Sequence, residues 1–240
     1  MENKKCLLNA TSVEIVPNLS IRIPTVGEIL EDEDKYYGIV SSLTATPFQY
    51  MVQLDDMGID YTQITDYQLF MMLFPMYAKS DLSLLFSDLD TSDFGMYINQ
   101  QDNSQVIYSP KNDIVIDEFV YNDLADTIRK INLFEKVKSK PGNESARKYL
   151  LEKERKKQKR NAKKSKEPYL EKLVIALVNT SEFPYNYETC MDLSIYKFNQ
   201  SFKQIQQKIT FDNTMIGVYA GTVDTSKMTN KDALSWISSK

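Results

Sequence analysis

Carboxylates are the side chains of this sequence best able to do chemistry, and one run of them is spaced like a metal-binding loop. Residues 88–93 read DLDTSD, which matches the opening of a calcium loop. Such a loop needs glycine at its sixth position and glutamate at its twelfth. Those two positions hold Asp93 and Asn99. We therefore predict a polar turn before a β-hairpin at this point, and no metal site.

A second acidic run lies closer to the N-terminus. Its members are Glu28, Glu31, Asp32, Glu33 and Asp34. A run of this kind could bind a cation or a basic partner, and it is also typical of a solvated loop or helix end. The sequence leaves both interpretations open.

The remaining inventory argues against catalysis. The chain has no histidine, which removes the commonest general base and the commonest metal ligand. Its two cysteines, Cys6 and Cys190, cannot build an all-cysteine zinc site. Its seven glycines form neither a G-x-G-x-x-G turn nor a G-x-x-x-x-G-K phosphate loop. We expect a protein without enzymatic activity or cofactor, with a carboxylate-dependent hydrolase or metal enzyme as the enzymatic alternative.

The most distinctive charge feature is a basic segment at residues 144–167. It holds 11 of the 29 Lys and Arg residues and 4 of the 33 Asp and Glu residues, which leaves 18 basic and 29 acidic residues elsewhere. As a helix it would be roughly 36 Å long. Apolar residues that could anchor it occur only at its start, at positions 149–151. The candidate partner-binding residues are Arg147, Lys148, Lys153, Arg155, Lys156, Lys157, Lys159, Arg160, Lys163 and Lys164.

Three interpretations of the basic segment compete. It could be a solvated charged helix or linker. It could contact an acidic protein partner, or the acidic remainder of its own chain. It could also bind the phosphates of a nucleic acid without reading the bases, since only Tyr149 and Tyr169 flank it for stacking.

A heptad pattern of apolar residues marks the last long helix, which is predicted to begin near Met191 and to end at Gly221. The apolar residues recur in steps of three, four or seven, with an interruption at Asp212. The pattern, called the seam below, comprises Ile195, Phe198, Phe202, Ile205, Ile209, Ile216 and Tyr219. Such a seam packs against its own core or against another chain, including a second copy of this one.

Shorter elements precede these two helices. Alternation and turn residues predict strands at 13–16 and 20–23, a β-hairpin from 94–99 and 105–109, and a strand at 113–117. Capping residues and apolar periodicity predict helices at 47–57, from Thr65 or Asp66 to a kink or end at Pro75, at 118–134, and from Pro168 to 178.

A Pro-Gly-Asn break at residues 141–143 divides the chain. We predict an α+β N-terminal lobe at 1–141, a long exposed basic connector helix at 142–167, and a helical hairpin as the C-terminal lobe at 168–240. The fold class is therefore α+β and predominantly helical. No apolar run approaches the roughly 18 residues of a membrane span, and no secretory signal opens the chain, so we expect a soluble, intracellular protein.

Three stretches carry a resemblance to a known class of proteins. Residues 193–202 form an aromatic-rich run, and residues 215–221 read MIGVYAG. Together they resemble the end of small bacteriophage tail and baseplate assembly proteins. Residues 23–29, which read IPTVGEI, similarly resemble the opening of baseplate hub assembly proteins.

The resemblance implies a viral assembly factor or minor virion component that acts by binding other phage structural or assembly proteins. It also implies a location in the host cytoplasm, with incorporation into the virion as an option. The alternative from the residues themselves is a nucleic-acid-associated structural protein that uses the basic segment.

Overall fold

The computed structural model of the chain describes residues 6–99, 103–137, 139–162, 169–229 and 231–237. The fold is α+β with about 53% helix, and its two small antiparallel sheets lie in the N-terminal half. The predicted fold class is therefore confirmed. Among the described residues, no helix is long and apolar enough to cross a membrane.

The chain opens with a two-stranded hairpin. Strand β1 (Ser12–Val16) pairs with β2 (Leu19–Arg22), and Asn18 takes the left-handed conformation in the turn between them. Asparagine tolerates this conformation better than most residues. Two helices follow, α1 (Val26–Glu31) and α2 (Glu33–Leu43).

The next three helices carry the first correction. The predicted helix at 47–57 is shorter, because residues 47–50 form turns and α3 covers only Met51–Asp56. Helix α4 (Asp66–Tyr77) is capped by Thr65 as predicted, and it continues two residues beyond Pro75. A short helix, α5 (Ser83–Phe86), then leads to the second sheet.

The second sheet is the predicted hairpin with a third strand. Its order is β3 (Gly95–Ile98), β4 (Gln105–Ser109) and β5 (Ile114–Ile116), all antiparallel. The Asp93 carboxylate accepts hydrogen bonds from the Ser109 hydroxyl and the Lys111 backbone N–H. Asp93, at the end of the acidic run 88–93, thus holds the turn between β4 and β5. In the described part of the chain, no group of three or more His, Cys, Asp or Glu residues could hold a metal ion.

Helices form the remainder of the fold. In chain order they are α6 (Glu118–Asn132), α7 (Glu144–Asn161), α8 (Leu170–Val178), α9 (Tyr187–Met191) and α10 (Ile195–Tyr219). Two short 3₁₀ turns, Thr225–Lys227 and Asp232–Leu234, follow α10.

The predicted start of the last helix near Met191 is wrong. Residues 187–191 form the separate helix α9, and α10 begins at Ile195 behind a cap from the Ser194 side chain. The reason is tertiary: the Val26 N–H donates to the Leu193 carbonyl, and the Ile195 N–H donates to the Pro24 carbonyl. This pairing with the N-terminal segment requires an extended backbone between the two helices.

A single large cluster of buried side chains takes residues from both halves of the chain. It includes Ile29, Val40 and Ile128 from the first half, and Val174 and Phe198 from the second. A smaller cluster joins α3 to α7 through residues such as Val52, Leu54 and Leu151.

A buried hydrogen bond fixes α2 against α6 inside the large cluster. The Tyr36 hydroxyl donates to the Asn132 side-chain oxygen at 3.0 Å, and burial raises the pKa of this phenol. We expect Tyr36→Phe to lower the free energy of unfolding by about 1–3 kcal/mol, because a buried acceptor loses its donor. Urea denaturation measures the loss. Tyr97 is exposed, so Tyr97→Phe should leave the free energy of unfolding unchanged. An equal loss in both variants would show that the loss does not come from the hydrogen bond between Tyr36 and Asn132.

Candidate partner-binding surfaces

The seam is divided by the fold into a buried half and an exposed half. Ile195 and Phe198 are fully buried, and Ile205 is nearly so. Phe202 is half-buried and packs against the large cluster. The first half of the seam is therefore core.

The second half of the seam is exposed on the same helix face. The exposed fraction is 43% for Ile209, 66% for Ile216 and 83% for Tyr219. We call these three residues the outer end of α10. Helix α10 is roughly 37 Å long, whereas α6, which packs against it, is roughly 22 Å long. The helix therefore extends past its own core.

The described residues after α10, 220–229 and 231–237, return along the same helix and leave the outer end exposed. The Gln207 side-chain amide donates to the Asp232 carbonyl at 2.7 Å, and that of Gln204 donates to the Trp236 carbonyl at 2.6 Å. A Cβ atom on Gly217 would lie 2.7 Å from the Val223 side chain, so a larger residue there would force the return segment to shift. Gly221, at φ +71°, ends the helix as predicted.

The inner face of α7 is bound to the chain's own residues. Leu151 is buried in the smaller cluster, as its position at the start of the basic segment predicts. Arg155 donates to the carboxylates of Asp55 and Asp56 at 2.7 and 2.6 Å. Arg147 lies 3.4 Å from the Asp60 carboxylate, and its bond to Glu144 raises the pKa of the guanidinium. Two of the candidate cations therefore contact acidic residues that lie outside α7.

The outer face of α7 is a basic surface. Six of the candidate cations are exposed on it, namely Lys148, Lys153, Lys156, Lys157, Lys159 and Arg160. By helical spacing they cover about half the circumference, with Glu152 among them. Two have weak intrahelical ion pairs, Lys148 with Glu144 at 3.8 Å and Lys157 with Glu154 at 3.4 Å. Lys163 and Lys164 lie outside the described residues.

Neutral replacement of this basic surface should leave the fold intact. A variant with Lys153→Gln, Lys156→Gln, Lys159→Gln and Arg160→Gln should melt within about 2 °C of the parent chain, because surface changes of this kind have small effects. The control Leu151→Ala removes a buried side chain of the same helix and should cost about 2–5 kcal/mol. Calorimetry compares the two. Unfolding of the glutamine variant would contradict the placement of these four side chains on the exposed face of α7.

Sequence reasoning found both surfaces but missed how each is divided. The heptad spacing continues through residue 219, so it carries no sign of where the core ends. For Arg147 and Arg155 the structure shows the predicted option of contact with the acidic remainder of the chain, but the sequence did not indicate which acidic residues they would meet. The available signal was the set of acidic residues at 55, 56 and 60.

The protein is therefore an α+β chain that exposes two helix surfaces. One is the apolar outer end of α10, and the other is the basic outer face of α7. Residues 157–239 match the model of the family described as the YomV second domain, which is phage-derived. No curated protein and no solved structure matches the chain.

The matched region runs from the last turn of α7 through α10 to the C-terminal turns. It contains the outer end of α10 and two of the three stretches that carry the resemblance to phage proteins, residues 193–202 and 215–221, whereas residues 23–29 lie outside it. A phage-associated domain of this kind is consistent with a phage protein, so the resemblance is supported at that level.

Proposed function

We propose that this protein is a non-enzymatic structural or assembly component of a phage, and that it acts through protein–protein contacts in tail or baseplate assembly. It would work in the host cytoplasm and stay in the virion if its partner does. One observation supports the proposal most: the outer end of α10 is apolar, exposed and within the phage-derived region.

The energetics of that surface favour a protein partner. Full burial of one large apolar side chain contributes about 1.5–3 kcal/mol, so three of them can supply a substantial part of a binding free energy. Tyrosine is also enriched among the residues that dominate interface energies. Exposed apolar residues on one helix face are the usual form of a helix-mediated contact.

Capture from infected cells tests the proposal. The tagged protein should retain a phage-encoded protein, identified by mass spectrometry, after nuclease treatment and at raised salt. Recovery of host nucleic acid alone, lost on nuclease treatment, would contradict it. If sedimentation shows a second copy of the chain as the sole partner, the contact forms a homo-oligomer, and the proposed assembly partner is excluded.

The basic surface of α7 supports a second candidate, binding to phosphate backbones. Six exposed cations on one helix face are an electrostatic footprint of this kind. For duplex DNA, the logarithm of the binding constant should then fall with the logarithm of salt concentration, with a slope near −0.9 for each phosphate contacted. Fluorescence anisotropy measures the slope. The glutamine variant described above should flatten it, and an unchanged slope would exclude α7 as the contact surface.

A further inference from the structure

Strand β3 forms one edge of the second sheet. It pairs with β4 on one side, and no strand of the described residues pairs with its other side. Charged side chains and proline are common devices that keep such an edge from pairing with another chain. The sequence of β3, GMYI, contains neither. The exposed fraction is 61% for Met96, 45% for Tyr97 and 66% for Ile98, so the edge strand is apolar and uncovered.

The hydrogen-bond pattern shows which backbone groups of β3 face the free edge. The Asn99 N–H donates to the Ser104 carbonyl, on the side of β4. In an antiparallel pair, successive residues alternate between bonding to the neighbouring strand and facing away from it. Tyr97 therefore bonds to β4, whereas the N–H and C=O groups of Met96 and Ile98 face the free edge. An extended polypeptide backbone offers donors and acceptors at the matching spacing.

The side chains of Met96 and Ile98 lie on the inner face of the sheet. Met96 stands opposite Ile107, which stands opposite Ile116, and both isoleucines are buried. Residues directly opposite each other on neighbouring strands share one face of the sheet. The apolar inner face thus continues past its cover as far as the edge strand, and Tyr97 lies on the other face.

We propose that β3 pairs with β3 of a second copy of this chain, antiparallel and across a two-fold axis beside Tyr97. In this register Met96 of one protomer lies opposite Ile98 of the other, and the outward backbone groups of both residues are bonded together. The apolar side chains of the two protomers meet on the inner face. The two three-stranded sheets then form one continuous sheet.

The fit of β3 to itself favours a second copy over other occupants. The register places apolar residues opposite apolar residues and brings no like charges together. The opposite edge strand, β5, turns only Val115 outward by the same alternation, so pairing of β3 with β5 would satisfy fewer backbone groups. A two-fold contact also closes on itself, whereas a contact of β3 with β5 would continue as an open filament. The inference goes beyond the proposed function, since β3 shares no residue with the outer end of α10.

Sedimentation equilibrium of the whole chain tests the pairing, in a series up to about 1 mM because a small contact is weak. The parent chain should show a monomer–dimer equilibrium. Met96→Lys with Ile98→Lys sets like charges opposite each other and should weaken dimerisation about tenfold or more. Met96→Lys with Ile98→Glu sets opposite charges there and should dimerise about tenfold more tightly than the double-lysine variant. A monomeric parent chain, or equal dimerisation of the two variants, would overturn the inference.

Disulfide crosslinking tests the register. Cys190 is buried, and the exposed Cys6 is replaced by serine in every variant. Across the axis the two Cα atoms of residue 97 would lie about 4.5 Å apart, within disulfide range, so Tyr97→Cys should give a covalent dimer on mild oxidation. Ile98→Cys is the matched control, because its two Cα atoms would lie roughly 8 Å apart, beyond that range. Equal crosslinking of both variants would contradict the register.

The proposed function is tested separately from this inference. The double-lysine variant should stay folded, because both positions are exposed in the free protein, and it should still capture a phage protein from infected cells. A captured protein that slows hydrogen exchange at residues 95–98 of a monomeric chain would show that another polypeptide occupies the edge, and the inference would be wrong. Dimerisation through β3 without any captured phage protein would support the inference and exclude the proposed function.

Discussion

Replacing Phe198 by alanine is expected to lower the free energy of unfolding by about 3–5 kcal/mol, the largest stability effect in α10. Its ring is fully buried and lies perpendicular to that of Phe183 at a centroid distance of 6.2 Å. Removal leaves a cavity where the helix joins the large cluster. Urea denaturation, followed by circular dichroism at 222 nm, measures the change.

The matched control for Phe198 lies on the same helix. Tyr219→Ala removes a side chain of similar size from the other end of the seam, where 83% of it is exposed. Its effect on unfolding should stay within about 0.5 kcal/mol. Similar losses in both variants would show that the seam is buried throughout, and would contradict its division.

The second large effect is expected on partner binding. Combining Ile209→Ser, Ile216→Ser and Tyr219→Ala should reduce affinity for the phage protein recovered by capture by about 100-fold or more, since truncation of a dominant interface residue costs about 2 kcal/mol or more. The physical reason is the loss of apolar area that only the complex buries. Surface plasmon resonance with the purified partner measures the ratio.

Two features make this binding result interpretable. The three residues are exposed in the free protein, so the variant should keep the melting temperature of the parent. The glutamine variant of the α7 basic surface serves as the matched surface control and should bind normally at moderate salt. If the α7 variant loses binding while the α10 variant keeps it, the partner binds to the basic surface of α7 and not to the outer end of α10.

Much of the fold could be predicted because local signals agree with it. The hairpin strands at 94–99 and 105–109, the Thr65 cap and the helix end at Gly221 each appear in the structure where the sequence indicates them. The start of α10 could not be predicted, because it depends on pairing with Pro24 and Val26, far away in the sequence. Contacts of this kind leave no periodic trace.

The candidate surfaces show the same limit. Hydrophobic spacing identifies the seam, but it does not show that α10 leaves the large cluster after Ile205. The hydrogen bond from the Tyr169 N–H to Glu33 was equally unpredictable, because the two residues are 136 positions apart in the sequence. The sequence left the acidic run at 28–34 open between a binding role and a solvated helix end, and it did not indicate that Glu33 would cap α8.

Hydrogen–deuterium exchange tests the central claim, that the outer end of α10 is the partner surface. The free protein and its complex with the captured phage protein are compared peptide by peptide. The account predicts slower exchange at residues 209–219 in the complex, with little change at residues 153–160 of α7. Slower exchange confined to α7, with residues 209–219 unchanged, would contradict it.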